Sequence, residues 1–139
     1  MKIERFEDIN AWQEARILVK MIYNAVKADR SFGNDYKFRE QIQSAAVSIM
    51  SNIAEGFSRR STKEFTQFLF ISKASAAQVQ SQLYVALDQG YINHDKFEEL
   101  YQKADEVARL ISGFIQYLLR NAQSKPIRLN QHNKLNQPS

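Results

Sequence analysis

Residues 41–56 read QIQSAAVSIMSNIAEG and predict a long amphipathic helix, around which the rest of the chain can be interpreted. Apolar side chains in and just before this stretch recur every three or four residues, the spacing that aligns them on one face of a helix. They are Phe38, Ile42, Ala45, Ile49 and Ile53. Asp35 precedes the run and is a good N-cap, while Gly56 is a typical residue at a helix C-terminus. The pattern predicts a helix over residues 35–56.

The same helix is more apolar than one buried face requires. A second apolar arc lies beside the first and contains Val47, Met50, Ala54 and Phe57. A helix that is apolar over most of its circumference is either buried on several sides or covered by a partner. Two interpretations stay open: this helix is the most buried one in the fold, or the second arc forms an oligomer interface between copies of the chain.

Three further amphipathic segments flank this helix, which gives four predicted helices in all. They cover residues 8–29, 35–56, 62–89 and 94–122. Asp8, Ser61 and Asn93 are the predicted N-caps, and Gly90 ends the third helix. Residues 30–34 contain a glycine and are predicted to form a turn. Four long helices with short connections indicate an all-α fold, an antiparallel up-down-up-down four-helix bundle.

Length and composition agree with a single globular domain. The chain has 139 residues, of which 44% are hydrophobic, and its four glycines and two prolines leave room for few turns. We assign residues 1–123 to the bundle and the polar, basic residues 124–139 to a C-terminal tail. The sequence starts without the apolar segment of a signal peptide, and no stretch reaches the roughly 20 apolar residues of a membrane span. We therefore expect a bacterial cytoplasmic protein without membrane contact.

Catalytic and metal-binding groups are scarce in the sequence. Cysteine is absent, which excludes disulfides, thiolate metal sites and cysteine nucleophiles. The two histidines, His94 and His132, lack the helical spacing to other ligands that a metal site requires. No glycine-rich phosphate loop and no serine nucleophile motif occurs. We predict a protein that is not an enzyme and that has no metal or cofactor.

Basic residues cluster, although the net charge is only +4. Residues 124–139 carry three basic residues and no acid, so +4 less +3 leaves +1 on residues 1–123. The candidate nucleic-acid-binding residues are Arg16, Lys20 and Lys27 in the first helix, Arg59, Arg60 and Lys63 before the third, and Lys125, Arg128 and Lys134 in the tail. Such clusters can neutralise nucleic-acid phosphates and release their counterions. They can equally form a solvated face, or meet the acidic residues of segment 88–106 in a neighbouring copy.

Several of these segments resemble a known family. FEDI at residues 6–9, AWQ at residues 11–13 and the string at residues 41–56 are similar to four-helix-bundle proteins encoded within intervening sequences of bacterial 23S ribosomal RNA genes. The accessory variability proteins of diversity-generating retroelements belong to the same group. The resemblance implies a ring-shaped homopentamer with a central channel. For the retroelement members it also implies binding of nucleic acid and of a reverse transcriptase.

The strongest part of the resemblance ends on Asn52, Glu55 and Gly56, which form its structural signature. Glu55 lies in the last turn of the predicted helix, where a negative charge opposes the helix dipole. We expect an arginine or backbone donors, in the same chain or in a neighbouring copy, to compensate this charge.

Two functional hypotheses follow from the sequence. The first is a homo-oligomeric accessory protein that binds RNA or DNA through the basic residues given above. The alternative is a protein-interaction scaffold, whose partner is a reverse transcriptase or another protein, without nucleic-acid affinity of its own. Because the bundle is nearly neutral, the choice between them depends on local patches of charge.

Overall fold

A computed structural model describes residues 2–124, and over this range the chain forms five α-helices and no strand. The elements are a short 3₁₀ turn Phe6–Asp8, α1 Asn10–Ala28, α2 Arg30–Asn34, α3 Tyr36–Phe57, α4 Thr62–Asp88 and α5 His94–Ser124. The predicted all-α fold is confirmed for this part of the chain. None of these described helices is long and apolar enough to cross a membrane.

The four long helices pack in a closed circuit, α1 on α3, α3 on α4, α4 on α5 and α5 on α1. Gly56 at the end of α3 lies against Phe65 at the start of α4, and the Phe65 ring contacts Phe114 in the second half of α5. At these contacts α4 therefore runs antiparallel to α3 and to α5, which is consistent with a helical bundle. Each long helix contributes fully buried side chains to one core, among them Leu18, Ile22, Ile42, Ile49, Ile53, Leu69, Leu83, Leu100, Ile111 and Leu118.

Residues 30–34 form a short helix, so the predicted turn is wrong. The Asp29 carboxylate caps α2 by accepting a hydrogen bond from the Phe32 backbone N–H at 2.9 Å. Phe32 is only 1% exposed and its ring stacks on Tyr91, with ring centroids 5.0 Å apart. Burial of the Phe32 ring holds the connection against the bundle and stabilises a helical turn there. A single glycine lowers helix propensity but does not prevent this turn.

The start of α1 also differs from the prediction. Asp8 does not cap α1 but lies in the 3₁₀ turn, where its carboxylate accepts hydrogen bonds from the backbone N–H groups of Glu4 and Arg5, at 3.1 and 3.2 Å. α1 begins two residues later, after Ile9, which is almost fully buried. The apolar anchor at Ile9, rather than the polar cap, fixes where this helix enters the bundle.

The other predicted caps are confirmed. The Asp35 carboxylate accepts from the Phe38 N–H at 3.3 Å, and the Ser61 hydroxyl accepts from the Glu64 N–H at 3.1 Å. The Asn93 side chain accepts in the same way at the start of α5, from the Lys96 N–H at 2.8 Å. Gly90 ends α4 with a φ of +75°, a left-handed conformation that favours glycine.

Gly56 has a different role from the predicted one. It lies inside α3, which continues to Phe57, so it does not end the helix. A Cβ atom at this position would lie 2.9 Å from both Phe65 Cδ1 and Phe68 Cβ on α4. Real Cβ atoms do not approach other atoms so closely. Gly56 is therefore required because α3 and α4 come together here with no room for a side chain.

We predict opposite effects for alanine at two helical glycines. Gly56→Ala should lower the free energy of unfolding by about 1–3 kcal/mol, because the added methyl group overpacks the contact with α4. Gly113→Ala in α5 should raise it by about 0.5–1 kcal/mol, because the added Cβ would have no atom within 4 Å beyond its chain neighbours and the backbone of its own helix, and alanine favours the helix. Urea unfolding followed by circular dichroism measures both. A stability change of the same sign in the two variants would contradict this account of Gly56.

Candidate functional site

The basic residues predicted in the first helix lie exposed on the outer side of α1. Arg16, Lys20 and Lys27 fall within about 40° of one another around the helix and along about 16 Å of its length. The Arg16 guanidinium lies over the Trp12 ring, 5.9 Å from its centroid. Lys20 and Lys27 form no ion pair with any residue among 2–124. This face, which we call the α1 basic face, has ammonium groups that can reach a phosphate.

The three residues of the second basic cluster, Arg59, Arg60 and Lys63, differ in their contacts. Arg59 is bound within the chain, since its guanidinium lies 2.8 Å from the Glu55 carboxylate and 4.6 Å from the centroid of the Phe68 ring. Arg60 is exposed at the turn between α3 and α4, and Lys63 is exposed in the first turn of α4. The structure therefore leaves Arg60 and Lys63 as the more accessible cations of the three predicted here.

The same ion pair accounts for the Glu55 signature residue. The arginine expected to compensate its charge is Arg59, one helical turn further on in the same chain, so that expectation is confirmed. Asn52, the neighbouring signature residue, donates from its amide to the Ser48 carbonyl at 2.8 Å and to the Ser48 hydroxyl at 2.9 Å. Ser48 in turn shares a hydrogen bond with Ser75 of α4 at 3.0 Å. The signature thus stabilises the end of α3 and its contact with α4.

The acidic segment 88–106 is partly neutralised within the chain. Glu99 pairs with Lys96 at 3.2 Å, and Asp105 pairs with Arg109 at 2.7 Å. Lys103 pairs with Glu106 and also with Glu14 of α1, which ties α5 to α1. Partial burial alone would lower the pKa of Lys103, but hydrogen bonds from its ammonium group to Glu14 and Glu106 outweigh burial and raise that pKa.

Asp88, Asp95 and Glu98 are exposed and form no ion pair among residues 2–124. Only these three acids of the segment are therefore free to meet a basic face of another copy.

The residues of the second apolar arc on α3 do not form one open surface. Phe57 is 3% exposed and packs edge-on against the Phe65 ring, so it belongs to the core and is not available as the predicted interface residue. Met50 is partly exposed but packs against the core as well. Val47 and Ala54 are also partly exposed. For Phe57 and Met50, the interpretation that this helix is the most buried one accounts for the apolar arc.

Exposed apolar side chains lie on α4 in two pairs, 14 residues apart, which the sequence interpretation missed. Phe70, Ile71, Tyr84 and Val85 are 53%, 50%, 52% and 43% exposed, on the side of α4 that faces away from the core. The signal available in the sequence is the scarcity of charge, because Lys73 is the single charged residue from 65 to 87. An exposed apolar surface of this kind is typical of a protein interface.

The tail residues Lys125, Arg128 and Lys134, together with His132, lie outside the described residues. Within residues 2–124, no group of three or more His, Cys, Asp or Glu side chains could hold a metal ion. His94 is exposed at the start of α5.

Comparison with known proteins places this fold in a family. The family model of the 23S rRNA-intervening sequence proteins matches residues 7–113. A crystal structure of a protein of unknown function from the S23 ribosomal protein family of Bacteroides thetaiotaomicron has a similar fold, with a TM-score of 0.68 and 22% sequence identity over 76% of this chain and 98% of that chain. A search of curated proteins finds no match. The chain belongs to the family of 23S rRNA-intervening sequence proteins.

Proposed function

We propose that the chain is a non-catalytic, homo-oligomeric accessory protein that binds RNA or DNA. The observation that carries the proposal is the α1 basic face, where Lys20 and Lys27 are exposed without an acidic partner among the described residues. An unpaired ammonium group does not have to break an ion pair within the chain before it binds a phosphate, and the counterions released from the nucleic acid favour binding. Arg60 and Lys63, at the start of α4, extend the basic surface. The sequence of the tail adds three further positive charges, those of Lys125, Arg128 and Lys134.

Several copies are needed for this surface to bind well. Three or four phosphate contacts per chain give weak binding, and the affinity rises when identical subunits present the same contacts to one nucleic acid. A ring of five, the assembly that the family resemblance implies, would repeat the α1 basic face five times. The proposal therefore links nucleic-acid binding to self-association.

The alternative is a scaffold that binds a reverse transcriptase or another protein and has no nucleic-acid affinity. Its support comes from the same structure, since Arg59 is held by Glu55 and Phe68 and the outer side of α4 is apolar. Ion pairs inside the chain and the near-neutral net charge of the bundle also weaken the positive electrostatic potential that would attract phosphate.

Binding should depend on salt and on the α1 basic face. A structured RNA and a single-stranded DNA, titrated at about 50 and 200 mM salt, should bind less tightly at the higher concentration. The double variant Lys20→Gln, Lys27→Gln should reduce the slope of log K against log salt by about 1.5 for each bound chain, because two phosphate contacts are lost. Fluorescence anisotropy measures the slope.

The matched control removes two lysines that already have acidic partners, Lys2→Gln with Lys96→Gln, whose ammonium groups lie 3.2 Å from Glu4 and Glu99. Its slope should stay near that of the wild type. An equal loss in both double variants would mean that overall charge, and not the α1 basic face, governs binding. Absence of salt-dependent binding by the wild type would favour the scaffold.

Self-association should be visible in the mass of the protein in solution. Light scattering at micromolar concentration should give a multiple of 16.2 kDa, with five copies as the number implied by the family resemblance. A mass equal to one chain would contradict the homo-oligomer.

A further inference from the structure

The outer side of α4 forms a straight seam with the spacing of a coiled coil. Exposed residues recur alternately after three and four positions: Gln67, Phe70, Ala74, Ala77, Ser81 and Tyr84. This repeat of 3.5 residues keeps a stripe aligned along a helix, so that a second helix can pack against it over its whole length. The bundle itself buries the opposite side of α4. At one end of the seam the Tyr84 ring also contacts α5, with its centroid 4.8 Å from that of Phe97 and 5.9 Å from that of Tyr101, but the Tyr84 side chain stays 52% exposed.

We propose that a second copy of this chain packs on the seam, with the two α4 helices antiparallel about a two-fold axis near residues 75 and 76. The sequence of the seam is self-complementary in that arrangement. Ala74 lies opposite Ala77 of the other copy, Phe70 lies opposite Ser81, and Gln67 lies opposite Tyr84. Small residues at the centre let the helices approach closely, and each large ring faces a smaller side chain.

Charge at the two ends of the seam selects the antiparallel orientation. Continuing the same spacing outward reaches Lys63 and Asp88, both exposed and without an ion pair among residues 2–124. In the antiparallel pair Lys63 lies opposite Asp88 of the other copy at both ends, so a chain that forms this contact keeps Arg60 but not Lys63 available to phosphate. A parallel pair would instead oppose Lys63 to Lys63 and Phe70 to Phe70.

The flanking positions are compatible with the same arrangement. Lys73 lies beside the seam and would face Gln80 of the other copy, and Ile71 would face Gln78. No like charges meet, and the exposed apolar side chains of Ile71 and Val85 lose water at the edges of the contact. A surface that is complementary to itself in size and in charge fits a second copy of the same chain.

This inference rests on the homo-oligomer of the proposed function and specifies one of its contacts. A two-fold contact uses the same surface on both copies, so it gives an even number of chains. Two rings of five joined through α4 would contain ten copies, and without a ring the product is a dimer. The inference does not depend on nucleic-acid binding.

Cysteine cross-linking tests the register, because the natural chain has no cysteine. An equimolar mixture of Ala74→Cys and Ala77→Cys proteins should form disulfide-linked pairs on mild oxidation, several-fold more than either variant alone. Gln116→Cys, at an exposed position of α5, is the control for random collisions. Preferential linking of Ala74→Cys to itself would indicate a parallel pair, and linking of the mixture no greater than the control would exclude the seam contact. Either result overturns the inference.

A charge exchange tests the orientation independently. Lys63→Asp and Asp88→Lys should each raise the dissociation constant of the pair several-fold, measured by sedimentation, because like charges then meet at both ends. The double variant should return to within about twofold of the wild type. A double variant that is weaker than both single ones overturns the inference, and circular dichroism checks that all three variants stay helical.

Failure of this contact and failure of the proposed function give different results. If the wild type does not bind RNA or DNA but the Ala74→Cys and Ala77→Cys proteins cross-link to each other, the proposed function fails and the contact stands. If it binds nucleic acid as an oligomer with an odd number of chains and no such cross-link, the contact fails.

Discussion

The close contact between α3 and α4 determines where the other helices can lie. At one end Gly56 removes the side chain that would separate the two backbones. Further along, Ser72 is fully buried and donates its hydroxyl to the Ile49 carbonyl at 2.6 Å. Because buried polar groups are costly without partners, this hydrogen bond helps to fix the register of α4 on α3. α1 and α5 then pack on the remaining sides and meet through the ion pair of Lys103 with Glu14.

Internal pairing of charges shapes the surface that remains for function. Arg59, Lys96, Lys103 and Arg109 all pair with acids of the same chain. The cations left without such partners among residues 2–124 include those of the α1 basic face and Arg60, and also Arg30, Lys37 and Arg39 near α2. Between residues 65 and 87, α4 carries Lys73 as its single charge. The bundle therefore has a basic surface suited to phosphate and a neutral, apolar surface suited to protein. On our proposal these two surfaces serve nucleic-acid binding and self-association, respectively.

The sequence predicts those features of the fold that depend on local chemistry. Asp35, Ser61 and Asn93 act as caps because a side chain needs only the next turn of backbone to do so. The turn predicted at residues 30–34 and the capping role of Asp8 were wrong because burial of Phe32 and Ile9, a tertiary effect, determines the structure there.

α4 shows why the candidate interface was harder to find. Its buried side includes the serines Ser72 and Ser75, whereas its exposed side includes Phe70 and Tyr84, so polarity does not separate the two sides. Likewise, composition alone does not tell that Phe57 is buried in the core while Val47 stays partly exposed. The charge clusters were visible in the sequence, but only the structure shows that Arg59 is held by Glu55.

The central claim is that the α1 basic face contacts nucleic acid, and lysine footprinting tests it most directly. Each lysine would be acetylated in the presence and absence of bound RNA, and its rate of modification measured by mass spectrometry. Our account predicts strong protection of Lys20 and Lys27 and little protection of Lys2 and Lys96, which already pair with acids. Unchanged rates at Lys20 and Lys27 in a protein that has bound RNA would contradict it.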